Sequence, residues 1–246
     1  MYKNVNEYQI KYTDVDFSKN LRLSSLLSYL EQSAGASADE LGFGYNEITP
    51  KGLAFILANY SIKLFRPIVL GENLTVSTWP LKPTKLVCLR DFELFCGDEK
   101  VGVATSRWCL MDIKNYKIMP TKCLFEDDQR TYNECRSLQV DSWKIEGVCD
   151  DDKFVYERVV RYSDYDYYNH VNNTKYADFA LDAFSTEFLS DKFVSSVQIT
   201  YSKQCKEGET VSIFMNFDGE FYNVEGKVQG ETRFLVKIKF GVKNEL

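Results

Sequence analysis

Apolar residues fall at helical spacing in two places along the chain. Leu23, Leu26, Leu27, Leu30, Ala34 and Leu41 mark one face of a helix that ends at Gly42. Tyr176, Phe179, Ala180, Ala183, Phe184 and Phe188 mark a second. Elsewhere the period is two. Val197, Ile199 and Tyr201 share a face, as do Val211, Ile213, Met215 and Phe217, and then Phe234, Val236, Ile238, Phe240 and Val242. Nearer the start, Leu86, Cys88, Phe92 and Leu94 alternate, and Val101, Val103, Cys109 and Met111 are expected to do the same. Alternation with one buried face predicts antiparallel sheet.

The two helices are parts of a repeat. Tyr12-Thr13-Asp14-Val15-Asp16-Phe17 matches Tyr162-Ser163-Asp164-Tyr165-Asp166-Tyr167 at an offset of 150 residues (162 against 12). Leu70-Gly71-Glu72-Asn73-Leu74 matches Glu207-Gly208-Glu209-Thr210-Val211 at 137 (208 against 71), so the first copy carries an insertion, placed around residues 42–45. Each copy reads as a strand, a long helix and a curved antiparallel sheet. The helices are too apolar for solvent and are expected to be too isolated to pack on one another, so each sheet must wrap its own helix. The predicted fold is therefore α+β, a tandem double hotdog. A first half over 1–125 and a second over 154–246 are joined by a linker at 126–153. The joining stretch from 115 on is charged and broken, with Glu126-Asp127-Asp128 and Asp150-Asp151-Asp152, which reads as surface.

Composition narrows the function classes. In 246 residues of net charge −6 there is no basic run, which argues against nucleic acid. No apolar stretch reaches membrane-spanning length, and the first residues do not read as a signal peptide, so no membrane partner is expected. Seven scattered cysteines without a Cys-x-x-Cys pair argue against zinc and against a disulfide framework, and fit a reducing cytoplasm. A calcium loop beginning at Asp164 fails, because its fifth and twelfth positions are Tyr168 and Lys175. No metal or cofactor is expected.

The candidate chemistry is concentrated in one window. The single histidine, His170, lies in Ser163–Asn173 with Asp164, Asp166, Asn169, Asn172 and Asn173, at the entrance to the second helix. Free N–H groups and the helix dipole suit a developing negative charge there, and an imidazole can move protons near neutral pH. The plainer reading is that Asn172 or Asn173 caps the helix and His170 is a turn residue.

Ser-Asp-x-Asp followed by His-Val-Asn-Asn-x-Lys-Tyr resembles the second-half signature of the plant and bacterial acyl-ACP thioesterases. Arg66-Pro67, Gly71-Glu72 and Thr78-Trp79-Pro80 resemble that family's first-half signature, and Tyr201-Ser202-Lys203-Gln204-Cys205 its later strand. Leu57, Tyr60, Ile62 and Leu64 sit where the family's first long strand would run. The resemblance covers essentially the whole chain. It implies hydrolysis of fatty acyl-ACP thioesters, with acyl carrier protein as partner, by a monomer (a pseudodimer) or a homodimer.

The family's catalytic residues are an Asp, an Asn and a His in Asp-x-Asn-x-His and a carboxylate just before a later Cys. Carried across, they fall on Asp166, Tyr168, His170 and Gln204, so the Asn and the carboxylate are both replaced. The base is then Asp166 or His170. Gln204 would hold the attacking water, and Tyr168 would donate to the thioester carbonyl or merely pack. Backbone N–H groups near Asn172 and Asn173 would stabilise the oxyanion. Cys205 is expected to face away from Gln204 and to be structural. The first half has Asn20 in place of the histidine and should be catalytically empty. Small residues in its helix, Ala34 and Ala38 among them, would make room for the acyl chain. Lys63, Arg66, Lys175, Lys203 and Lys206 are candidates for a carrier-docking patch. The alternatives are a general acyl-CoA thioesterase and a non-catalytic acyl-binding protein.

Overall fold

The fold is taken from a computed structural model, which describes residues 2–126, 128, 130–148 and 153–243. The first half contains β1 (Asn4–Gln9), α1 (Leu23–Glu40), α2 (Tyr45–Ile48), β2 (Leu53–Leu64), β3 (Asn73–Pro80), β4 (Cys88–Cys96), β5 (Glu99–Asp112), β6 (Lys117–Met119) and α3 (Lys122–Phe125). The second contains β7 (Phe154–Val159), α4 (Asn173–Leu181), α5 (Thr186–Leu189), β8 (Lys192–Tyr201), β9 (Thr210–Phe217), β10 (Tyr222–Val228) and β11 (Glu231–Val242). The class is α+β, with a large antiparallel sheet and few helices.

Strand order runs β1-β3-β4-β5-β2-β8-β11-β10-β9-β7, with β6 on β5. The two halves thus repeat one order, and β2 and β8, equivalent strands, pair antiparallel from Asn59↔Thr200 to Lys63↔Ser196 to make one continuous sheet. The repeat is legible in the helices too. Leu26, Leu27 and Leu30 are buried, and so, 150 residues on, are Tyr176, Ala177 and Ala180. One core runs through both halves.

Four expectations need correction. First, α1 and α4 are not isolated from each other; they pack together inside the joined sheets. Second, α4 stops at Leu181, and Ser185 caps a separate short α5 by accepting the Phe188 N–H at 3.1 Å. Third, the face of β5 is misjudged beyond Val101. That residue is the extra one of a β-bulge, since Leu94 pairs with Gly102 and Phe95 with Lys100. Ala104, Trp108 and Leu110 consequently meet the helix-side cores, whereas Val103, Cys109 and Met111 do not.

Fourth, the joining segment is more than surface. Residues 130–148 lie along the outer side of the sheet, with Ile145 and Val148 buried. Buried carboxylates hold it at both ends: Asp91 Oδ2 accepts the Ser137 N–H at 2.7 Å, and Glu225 Oε2 accepts the Val148 N–H at 2.7 Å. Asp127 and the run Asp150-Asp151-Asp152 lie outside the described residues.

Candidate active site

The window 163–173 folds as a turn that feeds α4. Asp164 is buried, and its carboxylate accepts from the Arg161 N–H at 2.9 Å and from Arg158 at 2.9 Å. Asp166 Oδ1 accepts the N–H of Tyr168 at 2.9 Å and of His170 at 3.3 Å, while the Asp166 N–H donates to the His170 carbonyl at 2.8 Å. Asn169, at the tip, takes φ 62°, a conformation that asparagine tolerates better than most residues.

The first half makes the same turn without the histidine. Asp16 Oδ1 accepts the N–H of Ser18 at 2.8 Å and of Asn20 at 3.0 Å, the Asp16 N–H donates to the Asn20 carbonyl at 2.8 Å, and Lys19 takes φ 64°. Asp14 likewise accepts the Lys11 N–H at 2.8 Å. Both aspartates of the Asp-x-Asp pair are therefore turn-makers in either half. What distinguishes the second turn is what it presents.

His170 is exposed, and its ring makes no hydrogen bond, ion pair or ring contact among the described residues. Asp166 is tied to the backbone of His170 and not to its imidazole. Asn172 is the cap: its Oδ1 accepts the Thr174 N–H at 2.9 Å and the Thr174 hydroxyl at 2.8 Å, and its own N–H is spent on the Asp164 carbonyl at 2.8 Å. The Lys175 N–H donates to the Asn172 carbonyl at 2.9 Å. That leaves the Asn173 N–H, at the first position of α4, as the donor free to face a ligand.

Tyr168 is half-exposed and belongs to an aromatic group, its ring 3.8 Å from that of Tyr167 and 5.5 Å from that of Tyr45 on α2. The first half thus reaches over the turn of the second. Gln204 is exposed, in the loop after β8 rather than on a strand, and its side chain has no partner among the described residues. The same loop is pinned on both sides of it. Cys205 N–H donates to Tyr176 Oη at 3.0 Å and Glu207 N–H to Tyr165 Oη at 2.6 Å, which brings Gln204 to the turn's neighbourhood. Cys205 is buried in the core, and burial pushes its thiol up to about 11.

Ala34 is buried in the main core of α1. Ala38 packs on a separate cluster of Phe43, Ile48, Leu53 and Leu110 at the far end of that helix. A cleft of about 240 Å³ lined by Tyr2, Leu41, Pro80, Arg130 and Tyr132 involves none of the candidate catalytic or substrate-binding residues. Most of the expected cationic patch is neutralised. Arg66 pairs with Glu72 and Glu99, Lys203 with Glu231, and Lys175 with Asp178, leaving Lys63 and Lys206 unpaired among the described residues.

One polar group escaped sequence reading. On the inward side of α1, Glu31 follows Leu27 and precedes Ala34, at the i, i+4, i+7 spacing of a single face. Its Oε1 is buried without a hydrogen-bond partner among the described residues, as are Tyr60 Oη on β2 and Tyr201 Oη on β8. A charged residue at an apolar-face position was the signal available in the sequence.

Comparison with known proteins finds relatives over both halves. Residues 2–123 match the acyl-ACP thioesterase N-terminal domain and residues 149–244 the acyl-ACP thioesterase C-terminal domain. The chain is 23% identical over 212 residues to a chloroplastic acyl-[acyl-carrier-protein] hydrolase of Cuphea viscosissima, covering 80% of this chain and 51% of that one. It is 20% identical over 224 residues to a chloroplastic oleoyl-acyl carrier protein thioesterase of Coriandrum sativum, covering 83% and 60%. It thus spans little more than half the length of these curated relatives. The crystal structure of an acyl-ACP thioesterase from Bacteroides thetaiotaomicron shares the fold, with a TM-score of 0.88 at 24% identity over 97% of this chain and 98% of that one. With both of its halves matched, in order, by the two domains that define the family, the chain belongs to the acyl-ACP thioesterases.

Proposed function

We propose that the protein hydrolyses the thioester of fatty acyl-ACP, releasing the free fatty acid and ending chain elongation. Family membership across both halves supports the reaction class. The observation that carries the reading to a site is the exposed His170 on a turn feeding α4, where the Asn173 N–H is open. In this reading the architecture is a double hotdog, with a catalytically empty half at 1–125, a linker at 126–153 and a catalytic half at 154–246.

His170 acts on protons at the thioester, and Asp166 fixes the turn that holds His170 in place. The Asn173 N–H faces the oxyanion, with Asn172 capping the helix beside it. Gln204, with no acidic proton and no basic lone pair near neutral pH, aims water rather than activating it. Tyr168 borders the mouth with Tyr45. The acyl chain runs along α1, where Ala34 and Ala38 keep the helix surface low. The partner is an acyl carrier protein. Six described cysteines are free thiols, which supports a reducing compartment such as the cytoplasm; no helix among the described residues is long and apolar enough to cross a membrane.

Incubation with acyl-ACPs of graded chain length, reading released acid, tests the proposal. Faster turnover of acyl-CoA than of any acyl-ACP would favour a general acyl-CoA thioesterase. Tight acyl binding without turnover would favour a non-catalytic acyl-binding protein, the reading that replacement of two family catalytic positions by Tyr168 and Gln204 supports.

A further inference from the structure

A carboxylate buried without a hydrogen-bond partner is costly unless something the structure lacks completes it. Glu31 meets that description, and it is not alone. The residue is only partly buried, but its Oε1 is fully covered and unpartnered, as are the hydroxyls of Tyr60 and Tyr201. The three are close enough for the Glu31 charge to act on both phenols. They come from three elements and both halves: α1, β2 and β8. Register places Tyr60 opposite Ile199, so Tyr201, two residues on, shares the helix-facing side of the seam with it. Glu31 also lies within electrostatic reach of the turn already described, since the charge of Asp166 acts on it. Three unpartnered polar atoms, drawn from α1, β2 and β8, could together receive a water and a polarised carbonyl.

Resting on the thioesterase reading, we infer that Glu31, contributed by the half that lacks the histidine, is the general base of the reaction. It takes a proton from the attacking water as the water oxygen bonds to the thioester carbon. The carbonyl electrons move onto oxygen, which in this inference accepts from Tyr201 and the Asn173 N–H. Collapse of this intermediate re-forms the C=O bond and breaks the C–S bond. The sulfur leaves as thiolate and takes up the proton, giving free acid and carrier thiol. Glu31 thereby fills the role left open by Gln204. Desolvation, with the Asp166 charge adding to it, pushes the Glu31 carboxyl up to about 7, within the range suited to a base at neutral pH. The groups facing it are Asp166 from the turn, Tyr60 from β2 and Tyr201 from β8, with Arg90 acting in turn on Tyr60.

The test is the pH profile of kcat/KM on acyl-ACP for wild type, Glu31→Gln, Tyr201→Phe and His170→Ala. Glu31→Gln is isosteric and removes a buried charge, so the thermal midpoint should hold or rise while kcat falls about 10²–10⁴-fold with little change in KM. The acidic limb near pH 7 should disappear in that variant and persist, at lower rate, in His170→Ala. Tyr201→Phe should cost kcat about 10²-fold, the scale for losing one oxyanion donor. The double variant Glu31→Gln, Gln204→Glu should recover part of the lost turnover. A Glu31→Gln protein with wild-type kcat and an unchanged acidic limb overturns the assignment and leaves the thioesterase reading standing. A wild type that hydrolyses none of the acyl-ACPs overturns that reading, and the role of Glu31 with it.

Discussion

Asp166 holds His170 by its backbone and not by its ring. The two residues exchange a pair of hydrogen bonds, Oδ1 accepting the His170 N–H at 3.3 Å and the Asp166 N–H donating to the His170 carbonyl at 2.8 Å. Asp16 and Asn20 are joined in the same way, which supplies an internal control for the carboxylate. Asp16→Ala and Asp166→Ala should each lower stability by about 0.5–2 kcal/mol, the range for losing a cap-like acceptor. Only Asp166→Ala should also lower kcat/KM sharply. Equal activities in the two variants would reduce Asp166 to a turn-maker.

His170 is exposed and its ring is unattached, so His170→Ala should change stability by no more than about 0.5 kcal/mol. Turnover on acyl-ACP should fall about 10²–10⁴-fold. Urea denaturation and steady-state kinetics on one preparation separate the two effects. Near-wild-type turnover would remove His170 from the reaction.

Cys205 is expected to be structural. An unfolded thiol ionises near about 8.5, whereas burial raises Cys205 to about 11. The folded state therefore favours the neutral thiol. Its contribution is complete below pH 8.5 or so and is lost as pH rises toward the folded value. The stability difference between wild type and Cys205→Ser should accordingly shrink across that alkaline window. Cys205→Ser should keep most activity, and no acyl-enzyme should be seen by mass spectrometry. A trapped thioester on Cys205 would point to covalent catalysis.

These groups show how far the sequence could be read. The strands β9 and β11, and β8 from Val197 on, are legible because each keeps one parity along a single buried face, whereas Val194 joins that face only across a bulge at Ser195. β5 is not, because a bulge at Val101 changes its parity and no side chain announces a bulge. The Asp-x-Asp turns and the cap at Asn172 were visible as local chemistry. Glu31 was missed because its meaning depends on β2 and β8, which meet it only in three dimensions. The strap formed by residues 130–148 reads as surface in the sequence because Asp91 and Glu225 look like ordinary strand carboxylates until it is laid over them.

That strap yields a further expectation. Asp91 Oδ2 accepts both the Ser137 N–H at 2.7 Å and Arg136 Nε at 3.0 Å. Asp91→Ala strands both donors and should cost about 1–3 kcal/mol. Asp91→Asn, still able to accept from Ser137, should cost less. Limited proteolysis within 130–148 should quicken in the Ala variant first, and unchanged cleavage would mean that the strap is held elsewhere.

Ala34 and Ala38 sit in different surroundings and should answer differently to enlargement. Ala34→Leu pushes into the main core and should destabilise by about 1–3 kcal/mol. Ala38→Leu, against the cluster of Phe43 and Leu110, should be tolerated and shift preference toward shorter acyl chains. An unchanged length profile in a stable Ala38→Leu protein would remove that end of α1 from the acyl path.

With β2 paired to β8 inside one covalent chain, the protein builds alone what two identical subunits would otherwise build around a twofold axis. In such a dimer every substitution is made twice, so a glutamate suited to one side of the axis would be imposed on the other. Fusion lifts that restriction. At the offset of 150 residues, Asn20 stands where the second half has His170, and Leu181 stands where the first has Glu31. Each copy could thus change alone, and a single asymmetric centre could be drawn from both without burdening a twin.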